Sequence, residues 1–212
     1  MTKPPTNTEE RRDALRLRLI DIVERRIAEQ GLDAIKARDV AREAGCALGA
    51  IYNVVADMNE LVMAVNGRTF KRLGRFVSQS LQGRSDAPQD QLVTMSHAYL
   101  HFAAENTQSW RALFDLEMST ESRVPDWYVA ELAGLFAIIA DPLRRLFPDW
   151  SATQIDLMTR ALFSSVHGMV LLGLEKRISG VPIPRIEEMI TVLLSAVPGA
   201  SPPNTATESN PR

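Results

Sequence analysis

The stretch RDVAREAGCALGAIYNVV, residues 38–55, decides the fold of the N-terminal part of the chain. Its apolar residues predict two short helices, over about 37–44 and 48–55, joined by a tight turn. Ala41 offers a small side chain where the two helices cross, and Gly45 accepts the positive φ that such a turn requires. The stretch therefore predicts a helix-turn-helix, with an ordinary helical hairpin as the alternative.

The composition of the whole chain is that of a globular protein. The 212 residues are 45% hydrophobic and 24% charged, which suits one large domain or a small and a larger one. The single cysteine, Cys46, excludes an intrachain disulfide and fits a reducing compartment. Residues 1–12 lack the apolar core of a signal peptide, and we find no apolar run as long as a membrane span. We therefore expect a cytoplasmic protein that does not associate with membranes.

Charge is distributed unevenly along the chain. The net charge of −2 by itself argues against nucleic-acid binding. Residues 1–75, however, carry 14 Lys or Arg against 11 Asp or Glu, whereas residues 76–212 carry 10 against 15. A basic front part and an acidic back part suggest two functions in one chain.

Helical spacing of apolar residues continues to residue 197, and we find no alternating β-branched stretch. We therefore predict an all-α protein of about nine helices, in which a three-helix helix-turn-helix domain precedes a larger helical ligand-binding and dimerisation domain. Asp57 or Asn59 is expected to cap the fourth helix. The later helices are predicted at about 89–105, 107–119, 126–147, 151–179 and 184–197. The predicted organisation is a disordered arm (1–8), a DNA-binding domain (9–57), the larger domain (58–197) and a disordered tail (198–212).

Residues 15–61 resemble the DNA-binding domain of the tetracycline-repressor (TetR) family of bacterial transcription regulators. The landmarks are Gly31, the helix at 38–45, the Gly-x-x-Tyr of residues 49–52, and Glu60-Leu61 at the start of the fourth helix. The segment PheSerSerValHisGly, residues 163–168, is similar to the Trp-x-x-x-His-Gly signature of one group of TetR-like ligand domains, with Phe in place of Trp. The resemblance implies a homodimeric regulator that binds palindromic operator DNA and a small molecule.

The second helix of the motif carries no Lys or Arg, so its contacts with DNA must differ from those of many family members. The family often has Lys, His, an aromatic residue and Lys at the positions of Leu48, Val54, Val55 and Met58.

Asn53 can bond bidentately to adenine, while Leu48, Ala50 and Val54 can touch thymine methyl groups, which predicts A·T-weighted half-sites. The resemblance implies that Tyr52 donates to a phosphate. Further contacts are expected from Ala47 and Gly49 and from cations on the second helix and in the N-terminal arm: Lys36, Arg38, Arg42, Arg11 and Arg12. The alternative is that Leu48 and Val54 only pack, and that Arg38 and Arg42 form a solvated face.

The acidic part of the chain supplies candidates for a ligand pocket and a dimer interface. The pocket should take a small, largely apolar ligand, and about half of the candidates should prove to be plain core. They are His97, His101, Trp110, Phe114, Trp127, Phe136, Met158 and Met169. The family pairs its subunits through the last two long helices, which implies an interface of Phe163, Val166, His167, Val170, Leu174, Ile186, Ile190 and Leu193. Core packing within one subunit is the alternative for these residues.

Other chemistries have weaker support. His97, His101 and Glu105 share one helix face at a spacing that could hold a metal, but a structural or ligand-contacting role is favoured, so no metal site and no cofactor are predicted. A redox role for Cys46 is disfavoured because the turn needs a small apolar group there. No nucleophile lies near an obvious base, and no phosphate loop is present, so we expect no catalytic residues and no enzyme.

The sequence thus predicts a one-component transcription regulator, most simply a homodimeric repressor that a ligand releases from its operator. The alternative is a helical small-molecule sensor or adaptor with a weakened DNA-binding domain.

Overall fold

The computed structural model describes residues 7–116, 124–175 and 180–197, and within these ranges the chain forms nine α-helices and no strand. The predicted all-α class is therefore confirmed. The helices are α1 (Asn7–Gln30), α2 (Ala37–Ala44), α3 (Leu48–Ile51), α4 (Met58–Ser80), α5 (Pro88–Glu105), α6 (Thr107–Asp115), α7 (Asp126–Leu146), α8 (Ala152–Leu174) and α9 (Ile183–Ser195). A short 3₁₀ turn, Leu32–Ala34, joins α1 to α2.

The chain divides into two compact units. The first contains Met1–Leu73 and Glu105–Glu131, and the second contains Gly74–Ala104 and Leu132–Arg212. In the first unit α1 packs against α2 and α6, and in the second α8 packs against α9. The core of the first unit comes from apolar side chains that recur at helical spacing on α1, α2 and α4.

Side-chain caps fix where two of the long helices begin. Asp57 Oδ1 accepts from the backbone N–H of Glu60 at 2.8 Å, and Glu60 Oε2 accepts from the N–H of Ala56 at 2.8 Å. These bonds confirm Asp57, of the two candidates, as the cap of α4. Ser151 and Gln154 form a capping box at α8, in which the Ser151 N–H donates to Gln154 Oε1 at 2.9 Å.

Two predictions near helix ends need correction. The second helix of the motif ends at Ile51 rather than 55, and residues 52–54 continue as turns. Arg11 and Arg12 lie in α1, not in a flexible arm, because the helix already begins at Asn7. The rest of the predicted arm and the predicted tail lie outside the described residues.

The expectation that no apolar segment is long enough for a membrane span is also wrong. By length and composition alone, α8 passes that test, with a mean hydropathy of 1.4 in its most apolar window. The core helix of a soluble protein passes the same test, and α8 buries Ile155, Leu162, Val166 and Val170, although only 28% of its most apolar window is buried. The apolar character of α8 is therefore weak evidence for a membrane.

Candidate DNA-binding surface and C-terminal helices

The turn of the helix-turn-helix has the backbone geometry that the sequence predicts. Gly45 adopts φ 67° and ψ 33°, in the left-handed region. Its N–H donates to Arg42 O at 3.3 Å, and the N–H of Cys46 donates to Ala41 O at 3.0 Å. This is the Schellman pattern, which satisfies two carbonyls at the end of α2. A Cβ at Gly45 would have nothing within 4 Å, so the backbone conformation, and not lack of space, favours glycine there.

A small apolar core lies behind α2 and α3 and holds them against α1. Ala41, 3% exposed, provides the small side chain that close crossing of two helices requires. Ile51 is fully buried, and Cys46 packs against the same cluster as a partly buried residue. Other members of the core are Leu19, Val23, Ile27, Val40 and Ala44.

The opposite side of α3 and the residues after it face outward. Leu48 is 39% exposed and Tyr52 is 50% exposed, although both are large apolar side chains. Ala47, Gly49 and Asn53 are exposed too, and Ala50 is half-buried. The predicted DNA-contacting residues on this segment therefore form one accessible surface, except for Val54.

Val54 was expected to touch thymine methyl groups, and the structure corrects this. The side chain is 8% exposed and belongs to the core, as does Val55 at 4%. Because α3 ends at Ile51, the N–H groups of Val54 and Val55 both donate to the Ile51 carbonyl, at 3.0 and 3.1 Å, and the turn directs both side chains inward. Val54 therefore only packs against the core, as the alternative interpretation has it. Leu48 is exposed, so that interpretation does not apply to it.

The predicted cations are exposed on α1, on α2 and just before α2. Lys36 is the N-cap residue of α2, and Arg38 and Arg42 follow on that helix. The side chain of Arg42 is 78% exposed and forms an ion pair with Asp39 at 2.6 Å. Arg11 and Arg12 are exposed on the first turns of α1.

Ion pairs hold α1 against α2 and α4. Glu43 on α2 accepts from Arg26 Nε at 2.9 Å and also pairs with Arg25. The hydrogen bonds from Arg26 and then Arg25 lower the pKa of the Glu43 carboxyl. Arg16 on α1 pairs with Glu60 at the start of α4, at 3.1 Å.

The predicted dimer residues on α8 and α9 largely pack within the chain. Val166, Val170, Ile186 and Ile190 are 6%, 0%, 1% and 0% exposed, so the core alternative describes them. Gly173 lies so close to Ile186 that a Cβ would overlap that side chain. Leu174 and Leu193 are half-buried. The large exposed apolar side chains of α8 and α9 are Leu157, Leu172, Met189 and Val192, and none of them is among the predicted interface residues.

The predicted pocket residues divide between the two compact units. In the first unit Trp110 is fully buried, and Phe114 and Trp127 are 40% and 43% exposed. The other five, His97, His101, Phe136, Met158 and Met169, are half-buried in the second unit. Trp110 is therefore plain core, and the pocket itself stays a prediction.

The two histidines of α5 bond to α9. His97 Nε2 lies 3.2 Å from Glu187 O and 3.1 Å from Thr191 Oγ1. His101 Nε2 lies 2.7 Å from Glu187 Oε1. Glu105 is exposed, and no group of His, Cys, Asp and Glu suited to a metal occurs in the described ranges. These contacts with α9 agree with a structural role for His97 and His101.

Phe163 and His167, both predicted at the dimer interface, belong to an aromatic cluster inside the second unit. The ring of His167 stacks on Phe163 with centroids 5.5 Å apart, and its Nδ1 lies 2.8 Å from the Tyr99 hydroxyl. Phe136 meets Phe163 edge to face at 5.1 Å, and Arg160 lies over the Phe136 ring. Burial lowers the pKa of His167, which favours the neutral ring.

The all-helical fold and the helix-turn-helix of α2 and α3 define a class of protein. It is the class of helix-turn-helix proteins with a helical C-terminal domain. Residues 92–197, half of the chain, match the family model described as tetracyclin repressor-like, C-terminal domain. The chain therefore belongs to the tetracycline-repressor-like (TetR) family, and it has the fold of a TetR-family transcription regulator. The family consists of regulators rather than enzymes, and the segment 163–168 lies within the matched range.

Solved structures agree with this fold. A protein of unknown function from Rhodococcus sp. RHA1 has a TM-score of 0.68 at 17% identity, over 85% of this chain and 93% of that one. PfmR, a TetR family transcriptional regulator from Thermus thermophilus, has a TM-score of 0.58 at 19% identity, over 86% and 98%. RolR in complex with resorcinol has a TM-score of 0.61 at 17% identity, over 93% and 99%. No curated protein sequence matches the chain.

Proposed function

We propose that the chain is a cytoplasmic, homodimeric repressor that binds a palindromic operator and is released from it by a small, largely apolar ligand. The observation that carries this proposal is the surface formed by Leu48, Tyr52 and Asn53, which are exposed directly in front of a well-packed core. A decayed motif would have no reason to keep both the packing and the Gly45 turn. We assign residues 9–57 to DNA binding and 58–197 to ligand binding and dimerisation.

Sequence recognition is assigned to a few side chains. Asn53 contacts adenine, Leu48 and Ala50 contact thymine methyl groups, and Tyr52 donates to a phosphate. Ala47 and Gly49 allow close approach of the backbone, and Lys36, Arg38, Arg42, Arg11 and Arg12 supply charge. Loss of one good bidentate base contact relaxes specificity by roughly 1–3 kcal/mol.

Dimerisation through α8 and α9 is supported by their outer faces rather than by the residues first predicted. On α8 the exposed or half-exposed positions 157, 161, 164, 168 and 172 follow helical spacing. Their side chains are Leu, Ala, Ser, Gly and Leu, and a Cβ at Gly168 would meet nothing within 4 Å. On α9, Met189 and Val192 are 41% and 73% exposed. An apolar surface with small residues at its centre suits close packing of helices from two subunits.

An effector is supported by the aromatic side chains of both units and by the similar structure of RolR, which holds resorcinol. Ligand would shift the population toward a dimer whose recognition helices have the wrong spacing for DNA. A ligand that bound both states equally would shift nothing, so the effector must prefer the state that does not bind DNA.

The experiment that tests the proposal is selection from a pool of random duplexes, with binding followed by fluorescence anisotropy of the purified protein. We expect a palindrome with A·T-weighted half-sites. With Tyr52→Phe, we expect weaker binding to all sequences alike, and with Asn53→Ala, loss of preference at one base pair. Replacing the operator thymines by uracil removes only their methyl groups and should weaken binding. The loss should be smaller when Leu48 is replaced by Ala, because only Ala50 then contacts the methyl groups. Enrichment of no sequence at low salt would refute the proposal.

One observation favours the second candidate, a sensor or adaptor with weakened DNA binding: residues 46–58 contain no Lys or Arg. A salt titration separates the two, because each phosphate contact contributes about 0.9 to the log–log slope. If the measured slope corresponds to about 0.9 for each predicted phosphate contact of the cations on α1 and α2, it supports the repressor. Binding that vanishes at physiological salt, without sequence preference, supports the sensor.

A further inference from the structure

A buried amide joins three helices in the first unit. Asn66 on α4 has no exposed surface, and its Nδ2 donates to Ala112 O on α6 at 2.8 Å. The same nitrogen lies 3.4 Å from the hydroxyl oxygen of Tyr128 on α7. Burial raises the pKa of Tyr128, so its hydroxyl keeps its proton at neutral pH.

The carbonyl half of this amide has no partner among the described residues. Asn66 Oδ1 is buried without a hydrogen bond in the described part of the chain. The orientation of the amide is fixed, because Ala112 O can only accept and must therefore face the NH₂ group. The two buried threonines differ in this respect, since Thr69 and Thr159 both donate to the carbonyl four residues earlier. An unmatched acceptor inside a native protein calls for a specific explanation, such as a bound water, ion or small molecule.

Aromatic rings pack around Tyr128, whose hydroxyl lies next to the Asn66 amide. Phe70, one turn further along α4, meets the Tyr128 ring edge to face at 5.4 Å. Trp127 meets Tyr128 at 5.6 Å and lies against Gly67, where a Cβ would come within 2.8 Å of its ring. Trp127 is 43% exposed, so this group of rings reaches the surface of the unit. Rings of this kind pack favourably against another aromatic ring.

We propose that Asn66 and Tyr128 bind the hydroxyl group of a small phenol, with Phe70 and Trp127 packing against its ring. A phenolic hydroxyl can donate to Asn66 Oδ1 and accept from the Tyr128 hydroxyl, whereas an ether can only accept. The proposal deepens the effector part of the proposed function and rests on it. It names a site that the sequence analysis had not identified, apart from Trp127.

The test compares phenol with anisole, its methyl ether, by isothermal titration calorimetry on the full chain. We expect phenol to bind roughly tenfold more tightly or better, because a site built for a hydroxyl discriminates against an analogue that lacks the donor. In Asn66→Leu, which keeps much of the volume, the ratio should fall to about one. In Thr159→Val, a matched change of a buried polar residue in the other unit, the ratio should stay at its wild-type value.

Two further measurements cover a variant that fails to fold. Phenol should protect Trp127 from acrylamide quenching in the wild-type protein, with Trp127→Phe as the blank for the signals of Trp110 and Trp150. Tyr128→Phe should weaken the binding of phenol and anisole alike, because the oxygen of either molecule can accept from the Tyr128 hydroxyl. Equal affinity for phenol and anisole, no binding of either at millimolar concentration, or an unchanged ratio in folded Asn66→Leu would each overturn the proposal.

The outcome is separable from that of the DNA-binding proposal. Selection of a palindrome by a protein that does not prefer phenol would overturn only the assignment of this site. A preference for phenol that depends on Asn66, in a protein that enriches no DNA sequence, would support the site and refute the repressor. If both hold, phenol at saturating concentration should weaken operator binding, and Asn66→Leu should abolish that response.

Discussion

The segment 47–55 and the pair of helices α8 and α9 both combine buried and exposed apolar residues, but they do so on different scales. In the short segment Ile51 is fully buried while Leu48, three residues before it, is 39% exposed. In α8, Val170 is fully buried while Leu172, two residues after it, is 66% exposed. In the short segment a glycine turn fixes which side faces the core, and in the long helices only packing against neighbouring helices does so. Composition therefore does not distinguish a core residue from a contact residue in either region.

The largest predicted effect is a difference in stability between alanine variants at Ile51 and at Leu48. Ile51→Ala should lower the free energy of unfolding by about 2–5 kcal/mol, because it leaves a cavity in the core behind the motif. Leu48→Ala should change it by less than about 0.5 kcal/mol, because that side chain is largely outside the core. Urea denaturation followed by circular dichroism measures both. Equal losses would show that Leu48 is a core residue and would remove it from the DNA-binding surface.

The next effect concerns the outer face of α8 and α9. Leu172→Glu should raise the dissociation constant of the dimer roughly hundredfold, since like charges meet across a two-fold interface. Analytical ultracentrifugation measures this constant. Arg84→Glu, a charge change at an exposed residue in the segment between α4 and α5, serves as the control. A Leu172→Glu protein that remains dimeric would place the interface elsewhere.

A smaller loss of stability is expected when Gly45, in the turn between α2 and α3, is replaced. Gly45→Ala should cost about 1–2 kcal/mol, because alanine would have to adopt the left-handed conformation although space for its methyl group is available. Gly49→Ala is the matched control, since that glycine also has open space but no positive φ. Thermal unfolding of the two variants should differ, and identical midpoints would contradict the backbone explanation.

The smallest effect depends on pH and involves His167. Because burial lowers the pKa of its folded state, the unfolded chain binds more protons once the pH falls below the ordinary histidine value. The contribution of His167 to stability is therefore complete above about pH 6.5 and decreases as the pH falls below that. His167→Gln should flatten this part of the stability profile between about pH 7.5 and 5.5. An unchanged profile would assign the pH dependence to other groups.

These comparisons show which features the sequence could predict. Gly45, Ala41 and Asp57 were identified correctly because turn, crossing and cap each require a particular local chemistry. The inward direction of Val54 was missed, since it depends on α3 ending at Ile51, a boundary that periodicity locates poorly. For α8 and α9, apolar residues occur on several faces, so the positions that other helices cover could not be known. A stricter use of the spacing 157, 161, 164, 168, 172 would have indicated the outer face.

The buried polar pair gives a different lesson. Asn66 lies among apolar residues on α4 and carries no motif, so the sequence offers no signal for its role. Its partners, Ala112 and Tyr128, are 46 and 62 residues away, and only the fold brings them together. A polar residue in an otherwise apolar helical stripe is the single pattern that could have drawn attention to it.

The lack of Lys and Arg in residues 46–58 has a consequence for life under osmotic stress. Intracellular salt rises when a bacterium loses water, and a regulator that relies on many phosphate contacts then loses its operator by counterion release. Residues 46–58 offer shape, methyl contacts and neutral hydrogen bonds through Leu48, Ala50, Tyr52 and Asn53, so the salt dependence of the proposed complex comes from the cations on and beside α1 and α2. If the chain is the proposed repressor, a rise in salt would weaken its hold on all DNA through those cations but would leave its choice of sequence, made by residues 46–58, nearly unchanged.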